Sequence, residues 1–322
     1  MAIDVKNGED SVIGMDLGGS KLSGALFTLD GKMIRESEIL LEGKGGSEAG
    51  LLVVRQVQEL ADFAKREHFP LRSVGICVPG ISNQGSGTVW APNIKGWEAY
   101  PLYREIEEGL GNPGVRVAIE SDRNCYILGE LWKGAAQGCS DAIFMAVGTG
   151  IGVGIVADGH IINGAGGIAG AIGWMALDRL HLTDYDQCGQ FEFHASGNGI
   201  VKRSETMLDQ GNSSGYLVKG NISTADVFAA CERADPVAVR VIEDCIEYWG
   251  MAVANLVSIF NPEKIIFGGG VFGPALKFLD RIYEYAMKWA QPISIRQVKL
   301  EASWLKGRAG MLGAGYLAIT SC

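Results

Sequence analysis

The stretch VIGMDLGGSKLSGALF (residues 12–27) decides the fold, because it joins two apolar runs through a tight glycine turn. The same arrangement returns about 130 residues later as IFMAVGTGIGVGIVAD (143–158). Short apolar runs bounded by turn residues predict buried strands, and two such runs around a short glycine turn predict a β-hairpin. A chain that builds this unusual unit twice is expected to consist of two similar halves.

Strand-like and helical patterns alternate on both sides of these hairpins. Asp235-Pro236 predicts the start of a long helix, because Asp is a good N-cap and Pro fits the first helical position. The predicted elements of the first half are strands 12–17, 22–29, 33–41, 73–80 and 115–122, with helices at 49–66 and from about 122 through 132. Those of the second half are strands at 143–157, 160–163, 264–270 and 295–300, with helices at 236–260, 274–290 and about 307–319.

This repeated alternation predicts the α/β class with two domains. We expect an N-terminal α/β domain at 1–120, with a C-terminal helix at about 307–322 packing back on it, and a C-terminal α/β domain at 121–306. A crevice between two such domains is the default position for a small ligand.

Charge and composition exclude several classes of partner. The formal net charge is −9 and Lys and Arg form no run, which argues against nucleic acid and anionic membranes. No apolar stretch approaches the ~18 residues of a membrane span, and the opening MAIDVKNGED has no apolar signal core. The seven cysteines form no C-x-x-C pair, which is typical of reduced thiols. We therefore predict a cytoplasmic protein with no membrane contact.

The first glycine turn, DLGGSK, has the features of a phosphate-binding site. Gly18 and Gly19 carry no side chains, so the backbone N–H groups of the turn can approach phosphate oxygens closely. Ser20 and Lys21 are placed to contact the same oxygens. Asp16 ends the strand beside the turn and can hold Mg²⁺ directly or through water, because protein-bound Mg²⁺ usually keeps several waters. The alternative is a plain hairpin turn, the more frequent use of a Gly-Gly pair.

The second turn, GTGIGVG, offers a similar cradle through Gly148, Thr149 and Gly150. Two cradles that face each other would hold the β- and γ-phosphates of a nucleotide, which explains why the hairpin is built twice. Other phosphate motifs fit less well. The pattern G-x-x-x-x-G-K-[ST] is absent, and GTGIGVG departs from G-x-G-x-x-G and is followed by a strand instead of a helix.

Six short motifs follow one another along the chain: DLGGSK, VPG (78–80), APNIKGW (91–97), SDRN (121–124), GTGIGVG and NPEKIIFGGG (261–270). In this order they resemble the ROK family of sugar kinases over nearly the whole chain. The resemblance implies the two-domain actin-like ATPase (ribonuclease H-like) fold, with a five-stranded mixed sheet flanked by helices in each domain. It also implies that ATP and a sugar meet in the interdomain cleft. Repressors of the family carry a helix-turn-helix first; about eleven residues precede the first strand here, so none is expected.

The resemblance assigns the catalytic base to Asp122. A carboxylate at a strand end just before a helix can project into a cleft and accept the proton of the attacking sugar hydroxyl. Alignment and charge neutralisation by Mg²⁺ and backbone donors would supply most of the catalysis. The alternative role for an Asp in this setting is a helix N-cap.

Further ligands follow from the resemblance at matching positions. Asn93 corresponds to a sugar ligand, since an amide both donates to and accepts from hydroxyls. Gly80 lies where the backbone meets the sugar, and Glu192 corresponds to another sugar ligand. Asn124 supports the base. The segment Gly268, Gly269 and Gly270 is expected near the adenosine moiety, which favours a nucleoside donor over polyphosphate.

Three positions depart from the family pattern. The family's Gly-Glu-Ile-Gly-His segment reads GAIGWM at 170–175, so Ala171 replaces the sugar-binding Glu and Trp174 replaces the His. Loss of two polar partners is expected to change which sugar is recognised. Trp174 is predicted to stack on an apolar sugar face or an added group, or else to fill the volume left by the missing pair. Ser121 stands where Asn commonly precedes the base, which alters one more polar contact near the sugar.

The family's zinc knuckle is also missing, since it needs three closely spaced cysteines and the same His. Its place is taken by LTDYDQCGQFEFHASG, in which only Cys188 is left. His181, Cys188 and His194 do not reproduce a known tetrahedral spacing. We therefore expect no zinc and a loop held by ordinary packing.

Together these observations predict an ATP- and Mg²⁺-dependent sugar kinase, a phosphotransferase with an alcohol acceptor. The primary 6-hydroxyl is the family's usual target. The candidate acceptors are an amino or N-acylated hexose, a substituted glycoside, a ketose and a cyclitol. Two alternatives stay open: a non-catalytic sugar or nucleotide sensor, which the missing Glu/His pair favours, and an ATPase acting on a protein partner, which leaves Asn93 and Glu192 without a role. The resemblance also suggests a homodimer.

Overall fold

The computed structural model describes residues 8–83 and 85–322, so most of the stretch examined for a signal core lies outside the described residues. The strands are β1 Ser11–Leu17, β2 Lys21–Thr28, β3 Met33–Leu40, β4 Leu71–Val78, β5 Ile81–Asn83, β6 Thr88–Trp90, β7 Arg116–Ser121, β8 Ala142–Val147, β9 Ile151–Ala157, β10 His160–Ile161, β11 Lys264–Gly268 and β12 Lys299–Ala302. The α-helices are α1 Gly46–Arg66, α2 Leu102–Leu110, α3 Asp122–Lys133, α4 Gln190–Ala195, α5 Gly197–Asp209, α6 Thr224–Glu232, α7 Pro236–Phe260, α8 Leu279–Met287 and α9 Ala309–Thr320.

Contacts within the chain divide it into two compact units. Unit 1 runs to Gln137 and adds Asn163–Ala169 and Leu305–Cys322, whereas unit 2 comprises Gly138–Ile162 and Gly170–Trp304. Helix α3 is part of unit 1 because it packs along α9. These units are defined by packing alone. The domain bounds expected at 120 and 306 therefore stay a prediction.

Each unit is built on a five-stranded sheet of the same topology. The strand order is β3-β2-β1-β4-β7 in unit 1 and β10-β9-β8-β11-β12 in unit 2. In both sheets the first three strands of the order pair antiparallel and the last three pair parallel. The prediction of two similar mixed α/β halves is therefore confirmed, and the two quoted stretches are the β1–β2 and β8–β9 hairpins.

Helix α1 covers the sheet of unit 1, and α7 is the central helix of the core of unit 2. Val53, Val57 and Leu60 of α1 are buried at helical spacing, as the sequence predicts. Asp235 caps α7 by accepting backbone N–H bonds from Val237 and Ala238 at 3.1 Å each, which confirms the predicted helix start. Helix α7 ends at the C-cap residue Asn261, whose backbone is left-handed.

Helix α9 packs against the rest of unit 1 through glycines that leave no room for a side chain. A Cβ added at Gly313 would overlap the carbonyl oxygen of Cys125 in α3, and one added at Gly75 in β4 would overlap that of Ala314. We call this contact region the glycine seam; its other members are Gly14 and Gly129. Because backbone meets backbone along the seam, α9 fixes α3 and the central strands closely against one another.

Two predictions near the C-terminal part of the chain are wrong in detail. The strand expected at 295–300 is a 3₁₀ helix at Ser294–Arg296 followed by β12. The Gln291 side chain accepts N–H bonds from Ile293 at 2.7 Å and Ser294 at 2.8 Å, which stabilises a turn where the β-branched pattern suggested extension. The helix expected at 274–290 begins with a 3₁₀ turn at Pro274–Phe278 before α8.

Among the helices described, none has both the length and the apolar character needed to cross a membrane. Helix α7 has 25 residues and a buried apolar face, but its exposed side carries charged residues such as Arg240 and Glu247.

Candidate functional site

Two carboxylates lie at one edge of the unit 1 sheet. Asp16 is the second-to-last residue of β1, and Asp122 directly follows the end of β7. Strands β1, β4 and β7 run parallel, so their carboxyl ends meet at the same edge. The sheet topology therefore brings together two residues that are more than a hundred positions apart in sequence.

Asp16 is a partly buried carboxylate with three close neighbours. Burial raises its pKa, while a hydrogen bond donated by the Cys77 thiol and the positive charge of Lys21 lower it. Cys77 is its register partner on β4. A Cβ added at Gly310, in the first turn of α9, would overlap the Asp16 carboxylate, so only glycine allows this approach. The beginning of α9 thus forms one wall of the Asp16 site.

Asp122 is the first residue of α3, but it does not cap that helix. The N-cap is Ser121, whose Oγ accepts the Asn124 N–H bond at 3.4 Å. Asp122 Oδ1 accepts the N–H of its neighbour Arg123, at 2.8 Å. Burial raises the pKa of Asp122 to about 6; the charge and N–H of Arg123 oppose this, and the negative charge of Asp16 adds to it. The N-cap alternative for Asp122 is therefore taken by Ser121.

Asn124, two residues after Asp122 on α3, carries an unsatisfied acceptor. Its side chain is only 3% exposed, and its Nδ2 donates to Asn163 Oδ1 at 2.6 Å. Its Oδ1 has no hydrogen-bond partner among the described residues. Buried amide oxygens are rarely left unpaired, so this atom is suited to accept a hydrogen bond from a ligand hydroxyl or a water.

Packing restricts the two glycines of the first turn differently, since a Cβ added at Gly18 would lie 3.2 Å from Lys21 O. The Gly18 N–H bonds to Lys21 O at 2.9 Å and closes the hairpin, yet neither Gly18 nor Gly19 has a positive φ. A Cβ at Gly19 would meet nothing within 4 Å, so the open space beside it is available to a ligand. Ser20 is exposed, and Lys21 pairs with Glu38 at 2.7 Å.

In unit 2 the two remaining glycine segments lie side by side. A Cβ at Gly148 would have Gly270 N, at 4.0 Å, as its nearest neighbour, and the Val271 N–H bonds to Val147 O at 3.0 Å. The Gly197 N–H, at the start of α5, bonds to Gly148 O at 2.8 Å. These hydrogen bonds hold the turn after β8, the end of β11 and the start of α5 against one another within unit 2.

These unit 2 glycines divide into two groups. A Cβ at Gly268 would overlap the Phe144 ring, and Gly269 has φ +89°, so packing and backbone geometry require both to be glycine. Gly148 and Gly270 meet no such restriction, and Thr149 is exposed. The unrestricted positions are those where a phosphate or nucleoside has room to approach.

Glu192 connects the second glycine turn to the segment that carries Trp174. Its Oε2 accepts the Ile151 N–H at 2.6 Å, and a Cβ at Gly150 would lie 2.7 Å from the same oxygen. On the other side, a Cβ at Gly173 would lie 2.9 Å from Glu192 Cβ. Burial raises the pKa of Glu192, and the Ile151 N–H partly offsets that rise.

Gly80 and Asn93 lie on or next to the small β5–β6 hairpin of unit 1. A Cβ at Gly80 would overlap the Trp90 carbonyl oxygen, so close packing alone explains this glycine. Asn93 is exposed in the loop after β6, where its amide can reach solvent. The sugar-binding roles of both residues stay predictions.

Trp174 ends a 3₁₀ helix at Ile172–Trp174 that begins after Ala171. Its side chain is 59% exposed. A side chain this exposed does not fill an interior volume, so the volume-filling interpretation is wrong. Stacking on a ligand stays a prediction.

The segment that replaces the zinc knuckle is held by hydrogen bonds. Gln190, which is buried, accepts N–H bonds from Leu177 at 2.6 Å and Asp178 at 2.8 Å, and donates to Leu180 O at 3.3 Å. One amide side chain thereby fixes the course of the loop.

The three candidate zinc ligands each have another contact. His181 Nε2 lies 3.1 Å from Asp186 Oδ1, and His194 Nε2 lies 2.8 Å from the Tyr185 hydroxyl. Burial, with the charge of Arg203, lowers the pKa of His194 to about 4, so this imidazole is neutral. The third, Cys188, contacts the carbonyl of the next residue. Within residues 8–83 and 85–322, no three His, Cys, Asp or Glu side chains are grouped to hold a metal.

Three residues near the carboxylates escaped the sequence interpretation. Cys77 follows from the strand pairing, since it lies opposite Asp16 in the parallel register. Gly310 lies inside the predicted last helix, and nothing local linked it to Asp16. Asn163, the partner of Asn124, had no signal, because its contact depends on the folded course of the 163–169 segment.

Curated relatives of the chain include both enzymes and regulators. It is 31% identical to a glucokinase of Halalkalibacterium halodurans, over 95% of this chain and 94% of the relative. It is 30% identical to a putative xylose repressor of a Caldicellulosiruptor species, over 99% of this chain and 80% of the relative.

Solved structures and family models agree with these relatives. A ROK family glucokinase of Streptomyces griseus, in complex with glucose and AMPPNP, matches with a TM-score of 0.72 and 28% identity, over 96% of this chain and 99% of that chain. The fold is thus the actin-like ATPase fold that the resemblance implied. The ROK family model matches residues 12–321, and the chain belongs to the ROK family.

Proposed function

We propose that the chain is an ATP- and Mg²⁺-dependent kinase that transfers the γ-phosphoryl group to a hydroxyl of a sugar or sugar-like polyol. The observation that carries this proposal is the state of Asp122. Its helix-capping role is taken by Ser121, its pKa is raised to about 6, and Asp16 lies at the same sheet edge. A protein that only binds has no need of a carboxylate tuned toward neutral pH.

In the proposed step Asp122 accepts the proton of the acceptor hydroxyl. The hydroxyl oxygen forms a bond to the γ-phosphorus, and the bond from that phosphorus to the bridging oxygen breaks, leaving its electron pair on ADP. The Asn124 Oδ1 is available to hold a hydroxyl or water near the base. Positioning of this kind supplies most of the catalysis in phosphoryl transfer.

The carboxylates of unit 1 fit a magnesium ion. Part of the rise in the pKa of Asp122 comes from the charge of Asp16, and a cation would relieve that repulsion. Mg²⁺ is typically held by one or two carboxylates together with waters and phosphate oxygens, so it needs no cage of three protein ligands. Asp16 is the proposed ligand, and bound Mg²⁺ would neutralise charge on the transferred phosphoryl group.

The glycine turns are the proposed nucleotide-binding elements. Gly18, Gly19, Ser20 and Lys21 would contact phosphate from unit 1, and the turn at 148–150 from unit 2. The segment 268–270 would lie near the adenosine. Open space at Gly19, Gly148 and Gly270 supports this assignment, as does the AMPPNP bound by the Streptomyces relative. A cytoplasmic location and a homodimer stay predictions.

The test is ADP release from Mg-ATP against a panel of hexoses, N-acetylhexosamines, ketoses and cyclitols. Turnover on one class of acceptor, dependent on Mg²⁺, supports the kinase. No ADP release with any acceptor of the panel, together with a melting temperature raised by ATP or sugar, contradicts the kinase proposal.

That second outcome would favour a sensor that keeps the kinase fold. The similarity to a xylose repressor and the replacements at Ala171 and Trp174 favour this candidate. Sugar binding without turnover, unchanged in Asp122→Asn, would establish it.

The pH dependence of turnover follows from the raised pKa of Asp122. Below its pKa the carboxyl is protonated and accepts no proton, so kcat/KM for the acceptor should rise with pH and reach half its plateau near pH 6. A buffer series from pH 5 to 8 at constant ionic strength measures this. A flat profile across that range would contradict the assignment of Asp122 as the base.

Glu192 is expected to have two separable roles. Glu192→Ala leaves the Ile151 N–H without its acceptor, which should cost about 1–3 kcal/mol of stability and raise the KM for ATP. Glu192→Gln keeps an amide oxygen for that bond but removes the charge, so it should retain stability and raise mainly the KM for the sugar. Thermal melts and both KM values distinguish the two. Equal losses of stability in both variants would refute the separation.

A further inference from the structure

A cavity of about 200 Å³ opens beside Trp174 in unit 2, and of its lining residues only Trp174 has been given a predicted ligand contact above. Its lining includes Trp174, Leu180, His181, Tyr185, Asp186 and Gln190. Pockets for drug-sized ligands usually span ~300–1,000 Å³, so this one suits a single ring and not a nucleotide. Trp174 and Leu180 are 59% and 63% exposed, so the cavity presents two apolar side chains to solvent beside its polar lining.

We propose that this cavity receives a second sugar ring, so that the preferred acceptor is a disaccharide or glycoside and not a free monosaccharide. The inference rests on the proposed function, because it extends the sugar site assigned to Glu192.

Continuity with Glu192 is the first support. A Cβ added at Gly173 would lie 2.9 Å from Glu192 Cβ. Gly173 directly precedes Trp174. Gln190, on the other wall, belongs to the same short helix α4 as Glu192, although the two side chains leave it on different sides. A Cβ at Gly189 would overlap the backbone of Trp174, so the two walls meet closely there. A ligand held at Glu192 therefore has the cavity as its neighbour.

The walls are preorganised. The Gln190 side chain holds the backbone of the 177–180 loop through its amide hydrogen bonds. Tyr185 is 6% exposed, with its hydroxyl bonded to His194, so it cannot turn away from the cavity without breaking that bond. A site that needs little ordering loses little binding free energy when it is occupied.

The chemistry of the lining suits a neutral polyhydroxylated ring. The exposed indole of Trp174 offers an electron-rich face to the C–H groups of a sugar ring. Asp186, oriented by His181 at 3.1 Å, and Asp178 accept hydroxyl hydrogen bonds, and Arg179 donates them. Two carboxylates against one guanidinium disfavour a phosphate or another anion in this place.

Calorimetric titration without nucleotide tests the proposal, so that binding is measured apart from turnover. The probes are three matched pairs: glucose with cellobiose, xylose with xylobiose, and N-acetylglucosamine with diacetylchitobiose. We expect at least one disaccharide to bind about tenfold more tightly than its monosaccharide. Trp174→Ala should reduce that preference about five- to tenfold, and Trp174→Phe should keep most of it.

Trp289→Ala is the matched control, since Trp289 is a 69% exposed tryptophan of unit 2 outside the cavity lining. It should leave the preference intact. A preference that survives Trp174→Ala, or disaccharides that bind no better than monosaccharides, overturns the inference. Phosphorylated monosaccharides with no disaccharide preference would leave the kinase proposal standing. A disaccharide preference that depends on Trp174, without ADP release, would contradict the kinase proposal and support the cavity as a sugar-binding subsite.

Discussion

Asp122→Asn is expected to lower kcat by about 10²- to 10⁴-fold, the usual contribution of a general base. The amide has nearly the same shape as the carboxyl but cannot accept the proton of the acceptor hydroxyl. Ser121 continues to cap α3, so the helix start and the fold should be unaffected. Binding of AMPPNP, measured by calorimetry, should therefore change little while ADP release collapses.

The same variant is expected to be more stable than the parent at neutral pH. The folded-state pKa of Asp122, about 6, lies above its unfolded value, so the native state binds more protons between pH 4 and 6. Stability from this group is full below pH 4 and is lost as pH rises through 6. Removing the charge should thus recover up to about 3 kcal/mol at pH 7.5 and almost nothing at pH 4.

Asp280→Asn is the matched control, because Asp280 is an exposed carboxylate in the first turn of α8. It should leave turnover and melting temperature unchanged. An Asp122→Asn enzyme with more than a tenth of the parental kcat would show that another group takes the proton.

Gly313→Ala is expected to destabilise unit 1 strongly. The added methyl group would overlap the Cys125 carbonyl oxygen within the glycine seam, and neither backbone can yield without moving α3 or α9. Overpacking of this kind costs about 3 kcal/mol. For a unit of this size the loss lowers the melting temperature by roughly 6–12 °C.

Gly215→Ala provides the comparison for that experiment. Gly215 has no positive φ, and a Cβ there would meet nothing within 4 Å, so this variant should melt within about a degree of the parent. Calorimetric melts of both variants decide the matter. If Gly313→Ala melted like Gly215→Ala, the seam would be looser than its geometry indicates.

The elements that sequence predicted well are those specified by local pattern. The β1–β2 and β8–β9 hairpins are alternations of apolar runs and turn residues that occur twice, so the repeat reinforced each assignment. Asp235-Pro236 fixed the start of α7 because capping and backbone restriction act within three residues. The order of the six motifs then led to the fold, which the sheet topology and the comparisons confirm.

What escaped prediction depends on contacts between distant parts of the chain. The Gly310 approach to Asp16 joins residues almost 300 positions apart, and no local pattern encodes it. The residues at 295–300 include apolar and β-branched side chains that favour a strand, yet the Gln291 side chain just before them stabilises a turn. The exposure of Trp174 depended on the course of a loop that Gln190 holds, and the amide of Gln190 gave no signal in sequence.

The position of α9 in unit 1 has a consequence for synthesis on the ribosome. Strands β1 and β4 and helix α3 emerge early, but the helix that packs against all three is translated only after the whole of unit 2. Until then the nascent chain leaves the glycines of β1, β4 and α3 uncovered and Asp16 without its wall at Gly310. Such late closure raises the cost of long-range contacts and slows folding, so the first unit to be made should be the last to be completed.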